Sequence, residues 1–164
     1  EKVKYMDMLG IEEAGIKTKP EERRLIIGIK KLSKLLKKKN FILLESDLQP
    51  LKLLKIIQLI NLKNVGLNYD IGNSAGKKYN FELEKKYFKH VKNIHLKDKD
   101  NQQKSVRLGN GIADFEHIFK YLKKINYRGT FGMQAARSKD NFHIAEINNN
   151  FKFLRKYLWE EEIY

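Results

Sequence analysis

Short apolar runs alternate with longer amphipathic segments along this 164-residue chain, the pattern left by repeated βα units. VKYMDML, Val3 to Leu9, reads as a first strand. Pro20 lies near the start of the next helix, where its missing N–H is not needed. That helix, about Glu21 to Lys39, places Leu25, Ile26, Ile29, Leu32, Leu35 and Leu36 on one face. FILLES, Phe41 to Ser46, is a continuous apolar run ending on an acid, as expected of a parallel strand buried on both sides. Leu51 to Leu62 predicts a helix after Pro50, and Asn64 to Asp70 a strand that again ends on an acid. A third unit pairs a helix around Phe81 to Phe88 with the strand Val91 to Leu96. A fourth pairs a helix of about Ala113 to Ile125 with the strand Gly129 to Gln134, and a helix of about Ile144 to Tyr157 comes last.

Five strands alternating with five helices predict an α/β fold with a parallel sheet, because each crossover returns over a sheet face. The first strand-to-helix connection, GIEEAGIKTKPEE, holds no G-x-G-x-x-G, which argues against a doubly wound nucleotide-binding sheet. Glu45, Asp70, His95 and Gln134 fall at the C-terminal ends of four successive strands, where a (β/α)8 barrel keeps its functional residues. Such a barrel needs eight strands and roughly 250 residues. The expectation is therefore a single domain over residues 1–164: the C-terminal portion, about five βα units, of a (β/α)8 TIM barrel with parallel strands, its N-terminal strands absent. A start on Glu1 rather than Met agrees. Open strand edges then predict association, with a second copy as a homo-oligomer or with the missing half.

Charge changes this picture little. The formal charge is +14, from 34 Lys and Arg against 20 Asp and Glu, but lysines such as Lys30, Lys31, Lys37, Lys38, Lys39, Lys85, Lys86, Lys123 and Lys124 are spread over the polar sides of amphipathic segments. No arginine-rich arm or aromatic-basic motif appears, so solvated helix faces are expected rather than a nucleic-acid surface. No run approaches the ~18 apolar residues that cross a bilayer, and the first residues lack a secretory pattern; a cytoplasmic protein without a membrane partner is expected. The absence of cysteine leaves oxygen and imidazole ligands for any metal.

The succession LLESD, GLNYDIGNSAG, VKNIHLKD, LGNGIADFEHIFKYLKKINYRG and FGMQAARS resembles the C-terminal half of the sugar phosphate isomerase/epimerase family, the xylose isomerase-like barrels, from Phe41 to about Ser138. The resemblance implies a divalent metal held by Glu45, Asp70, His95 and Gln134. Two carboxylates, an imidazole and an amide oxygen at one barrel mouth suit Mn²⁺, Mg²⁺, Co²⁺ or Zn²⁺ on chemical grounds as well. It further implies a metal-dependent isomerase or 3-epimerase of a ketose or sugar phosphate, in which a metal-stabilised enediolate carries the proton transfer. The partner is then a small-molecule sugar or sugar phosphate.

Two positions depart from the family pattern. Asn73 stands where many members carry a substrate-touching histidine, and it can still bind substrate through hydrogen bonds. Gln134 replaces a glutamate that doubles as acid and base, and an amide exchanges no proton. Glu45 becomes the catalytic base, with Lys97 and Asp98 the nearest substitutes. A single base favours the 1,2-shift of an isomerase over inversion at one carbon. Arg137, with Lys97 and Arg107, forms a candidate clamp for a phosphate or carboxylate.

Plainer readings stand beside these. Glu45 or Asp70 could be helix N-caps, His95 an interior histidine, and the arginines surface ion pairs. His90, His117 and His143 read as surface or packing residues. Gly109 and Gly111 suit a tight turn, and Asp114 a helix cap. At the level of function, the alternatives are a non-catalytic sugar-binding relic of the barrel and an apurinic endonuclease-like enzyme, whose three-metal cluster needs more ligands than these strand ends supply.

Overall fold

A computed structural model describes residues 6–36, 40–138 and 140–158. Val3 to Tyr5 of the first expected strand, Lys37 to Lys39 of the first expected helix, and the tail from Trp159 lie outside the described residues. The elements run β1 (Met6–Ile11), α1 (Lys19–Leu35), β2 (Phe41–Ser46), α2 (Pro50–Ile60), β3 (Val65–Asp70), α3 (Ile71–Gly76), α4 (Phe81–Glu84), β4 (Val91–Leu96), β5 (Asp98–Lys99), β6 (Ser105–Val106), α5 (Phe115–Lys124), β7 (Thr130–Met133) and α6 (His143–Leu154). The main sheet has the order β1-β2-β3-β4-β7, with β1 parallel to β2 and β2 parallel to β3. This is the expected parallel α/β sheet of a TIM-barrel-like fold. Among the described residues no helix is long and apolar enough to cross a membrane.

The chain forms two compact units, one of residues 1–69 with 79–94, the other of residues 70–78 with 95–164. In the first unit α1 begins two residues earlier than the hydrophobic pattern predicts, because Thr18 caps it. Thr18 Oγ1 accepts the Glu21 N–H, and Glu21 Oε2 accepts the Thr18 N–H at 2.8 Å, a reciprocal arrangement that satisfies two otherwise open donors. Ile29 and Ser33 are buried, whereas Leu32 and Leu35 are 47% and 81% exposed. Of the six residues the periodicity places on one face, Ile29 is buried, Leu25, Ile26 and Leu36 are half-buried, and Leu32 and Leu35 near the C-terminal end are exposed. In α2 the buried set is Pro50 with Leu53, Ile56, Ile57 and Ile60, the four aliphatic side chains each worth about 1.5–3 kcal/mol on burial, and Asn61 stops the helix in the left-handed region at φ 47°.

The segment read as one helix, Phe81 to Phe88, is a single α turn that tightens into a 3-10 helix over Lys85–His90. It buries Glu84, Tyr87 and Phe88. The Tyr69 and Tyr87 hydroxyls both donate to the Glu84 carboxylate at 3.0 Å, and the Tyr69 and Phe88 rings lie 4.9 Å apart. Two polar hydroxyls thus satisfy a carboxylate that burial would otherwise penalise.

In the second unit α5 buries Phe115, Ile118, Phe119 and Leu122, and Asp114 caps it by accepting the His117 N–H at 3.0 Å. Phe115 packs edge-on against Phe153, and Phe119 stacks with Phe131 and Tyr157. Two elements here were not foreseen, the short α3 and the β5–β6 hairpin. Asp98, read from sequence as a substitute acid or base, is instead fully buried beneath the Gly109–Ala113 turn. Its Oδ2 accepts the N–H groups of Gly109 and Gly111, and its Oδ1 those of Ala113 and Lys99, at 2.9–3.1 Å. A carboxylate so surrounded is a structural staple. Gly109 takes φ +84°, and a Cβ on Gly111 would lie 2.2 Å from Asp98 Oδ1, so the two glycines allow the turn to close over the acid.

Candidate functional site

β3 ends on Asp70, whose two oxygens have different surroundings. Oδ1 accepts the Asn73 N–H at 2.7 Å and caps α3, the local role its sequence position allowed. Oδ2 is buried, has no hydrogen-bond partner, and lies 3.8 Å from both His95 Nδ1 and Lys97 Nζ. The whole side chain is 2% exposed. A buried carboxylate oxygen with no hydrogen bond is costly unless positive charge stands near it.

His95 stands near the end of β4 and is buried; Lys97 follows one residue beyond the strand, half-buried. The Lys97 ammonium donates to Gln134 Oε1 at 3.2 Å. Gln134 itself follows β7, held there by its N–H donating to Leu96 O at 3.0 Å. Asp70, His95, Lys97 and Gln134 therefore form one cluster within the second unit. Asn73 joins it through the backbone cap, with its side chain half-buried. The donor set offers a carboxylate oxygen without a hydrogen bond, an imidazole and an amide oxygen, hard and borderline ligands that fit a divalent ion.

Glu45, in the first unit, lies at the C-terminal end of β2, half-buried. Its Oε2 accepts the Asn68 side-chain N–H at 2.8 Å, and Asn68 Oδ1 in turn accepts from Asn93 at 2.6 Å. Both asparagines are buried. Sequence reading missed them, although an asparagine inside each of the apolar runs GLNYD and VKNIHL was the available signal.

The two candidate arginines differ. Arg107 is bound to Glu146 through two hydrogen bonds, which raise the guanidinium's pKa and lower the Glu146 carboxyl's; this is the ion-pair reading. Arg137 is exposed and borders a cavity of about 190 Å³ with Met133, Ser138, His143, Ile147 and Asn150. His143, read from sequence as a surface or packing residue, is exposed at the rim of this cavity. His90 is half-buried, its Nε2 without a hydrogen-bond partner, and burial with the nearby Lys89 and Lys92 lowers its pKa.

Known proteins show the same arrangement of elements. A putative L-ribulose-5-phosphate 3-epimerase of Haemophilus influenzae is 36% identical over 86 residues, which cover 48% of this chain and 30% of that protein. The crystal structure of a xylose isomerase domain protein from Planctomyces limnophilus superposes with a TM-score of 0.76 at 21% identity, covering 92% of this chain and 59% of the other. The IOLI protein, solved with a bound zinc atom, gives 0.75 at 18% identity over 92% of this chain and 62% of its own. The chain thus spans under a third of the curated relative and about three-fifths of the two structures. Residues 19–157 match the model of the xylose isomerase-like TIM barrel family. With the parallel sheet and the ordered polar strand ends behind it, that match places the chain in the xylose isomerase-like TIM barrel family.

Proposed function

We propose that this chain carries the metal and sugar-binding strand ends of an isomerase or epimerase acting on a ketose or ketose phosphate. Glu45, Asp70, His95 and Gln134 would hold the divalent ion, each offering an oxygen or an imidazole nitrogen. The observation that carries this reading is Asp70 Oδ2, buried without a hydrogen bond and with two cationic or imidazole nitrogens at 3.8 Å. When bound, the ion supplies Lewis acidity that draws charge from the substrate carbonyl. The Glu45 carboxylate takes the proton from the hydroxyl-bearing carbon beside that carbonyl and returns it to the carbonyl carbon, while the hydroxyl proton of the first carbon passes to the former carbonyl oxygen. Lys97, already donating to Gln134, presents N–H groups to a substrate oxygen where negative charge develops. Gln134 orients without moving a proton. Asn73 offers an amide to a sugar hydroxyl, and Arg137 a fork for a phosphate at its cavity. The curated relative, a putative epimerase of a sugar phosphate, supports the substrate class.

The test is metal uptake and proton exchange by this chain. Equilibrium dialysis against Mn²⁺ is expected to show one bound ion, lost in Asp70→Asn and His95→Ala with the fold intact. Solvent deuterium is expected to enter a ketose or ketose phosphate at the carbon beside the carbonyl. Metal content unchanged in both variants would overturn the ligand assignment. Metal uptake and sugar binding without exchange would favour the binding-only reading, for which the missing acid at Gln134 is the supporting observation.

A further inference from the structure

Glu45 ends a row of three polar side chains that crosses the first unit. The parallel register sets Leu43 beside Gly66 and Leu44 beside Leu67, so one step further sets Glu45 beside Asn68. Asn68 is 5% exposed and Asn93 is 3% exposed, each on a strand whose other inner residues are mostly apolar. Burying two primary amides in such strands is unfavourable unless their hydrogen bonds are made. The bonds run in one direction. Asn93 gives an N–H to Asn68 Oδ1 at 2.6 Å, and Asn68 gives an N–H to Glu45 Oε2 at 2.8 Å.

An isolated asparagine could present either its oxygen or its nitrogen to a neighbour, because the two ends of the amide are nearly equal in size. Here two neighbours remove that freedom together: the Glu45 carboxylate can only accept, and on the other side stands the N–H of Asn93. That N–H occupies the side of Asn68 that must then be oxygen, and so turns the Asn68 nitrogen toward the carboxylate. We infer that Asn68 and Asn93 are positioning residues, an amide relay that fixes the Glu45 carboxylate for its work on metal and substrate. The inference rests on the metal reading above for its purpose, but the relay itself needs no metal. It differs from a generic packing role because the polarity of Asn93, not its volume, sets the outcome.

Asn93→Asp separates the two. The substitution keeps the shape and replaces the N–H donor by an acceptor, so the Asn68 amide then stands between two carboxylates and its N–H groups are no longer reserved for Glu45 Oε2. In metal-free protein, the side-chain N–H signals of Asn68 in a nitrogen–proton correlation spectrum are expected to shift in Asn93→Asp and in Glu45→Gln alike. In Mn²⁺ titrations, Asn93→Asp and Asn68→Ala are expected to weaken binding by roughly 10–100-fold, the usual cost of losing a partner that orients a ligand. Asn93→Ala, which removes the donor without adding a charge, is the control for a variant that fails to fold, and a smaller loss of affinity is expected from it. Asn68 signals unmoved in a folded Asn93→Asp or Asn93→Ala would overturn the relay whether or not the protein takes up metal. Mn²⁺ affinity within twofold of the parent in every folded variant would overturn its purpose. A parent that binds no Mn²⁺, with the Asn68 signals shifted in the variants, would overturn the metal reading and the relay's purpose together, while leaving the hydrogen-bond polarity established.

Discussion

Arg107 forks onto Glu146, Nε to Oε1 and Nη2 to Oε2, each at 2.7 Å. A guanidinium whose Nε and Nη2 both point at one carboxylate has already committed its bidentate edge, and with it most of what it could offer a substrate anion. Of the two arginines, Arg137 is therefore the one that the proposed phosphate recognition would use.

Arg137→Ala is expected to raise KM for a ketose phosphate at least tenfold more than for the unphosphorylated ketose, a charge-assisted hydrogen bond being worth about 1.5–3 kcal/mol. Arg107→Ala is expected to leave that ratio unchanged. Steady-state kinetics on the substrate pair decides, and equal effects of Arg137→Ala on both sugars would remove Arg137 from the binding site.

Gln134→Glu places a second carboxylate beside the Lys97 ammonium, now 3.2 Å from the amide oxygen. The variant is expected to bind metal at least as well as the parent and to create or raise inversion at a single carbon, because an acid then stands on a second side of the substrate. Product stereochemistry by NMR in deuterated water reads this out. A parent that already inverts efficiently would show that another group returns the proton.

Asp98→Ala leaves four backbone N–H groups without their carboxylate. A loss of about 3 kcal/mol or more in unfolding free energy is expected, measured by urea denaturation. A loss below about 1 kcal/mol would mean that water replaces the carboxylate under the turn.

His90 makes stability depend on pH. Its folded-state pKa lies below the ordinary 6.5, chiefly through burial, with Lys89 and Lys92 adding to the effect. As pH falls below about 6.5 the unfolded chain takes up the proton before the folded chain does, so stability declines on the acid side until pH passes the folded pKa. His90→Gln is expected to flatten this slope in melts between neutral and mildly acid pH. An unchanged slope would assign it to other groups.

The strands and their polar ends were legible because both signals are local. In FILLES and GLNYD the apolar run and the terminal acid sit side by side in the chain. Asp70 was open to a capping and a ligand reading, and the capping is made by one oxygen while the other stays buried without a hydrogen bond. What the sequence hid depends on distant partners. Glu146 lies 39 residues from Arg107, and the turn that surrounds Asp98 arrives 11 to 15 residues later. The β5–β6 hairpin has two residues per strand, too few to show a period. Leu32 and Leu35 followed the helical period yet lie exposed, since periodicity names a face and not its cover.

Two buried phenols, Tyr87 and Tyr127, act as optical reporters of alkaline unfolding. Tyr87 in the first unit has its pKa pushed far above 10, mainly by burial and then by the Glu84 charge; Tyr127 in the second is pushed up by burial alone. Above about pH 10 an unfolded chain loses these protons while the folded chain keeps them, so rising pH works against folding. Tyrosinate absorbance from these two rings then appears only as the structure around them opens. Replacing Tyr127 by Phe would remove its share of the late-rising absorbance and leave that of Tyr87, so the difference between the two titrations reads the surroundings of Tyr127 alone.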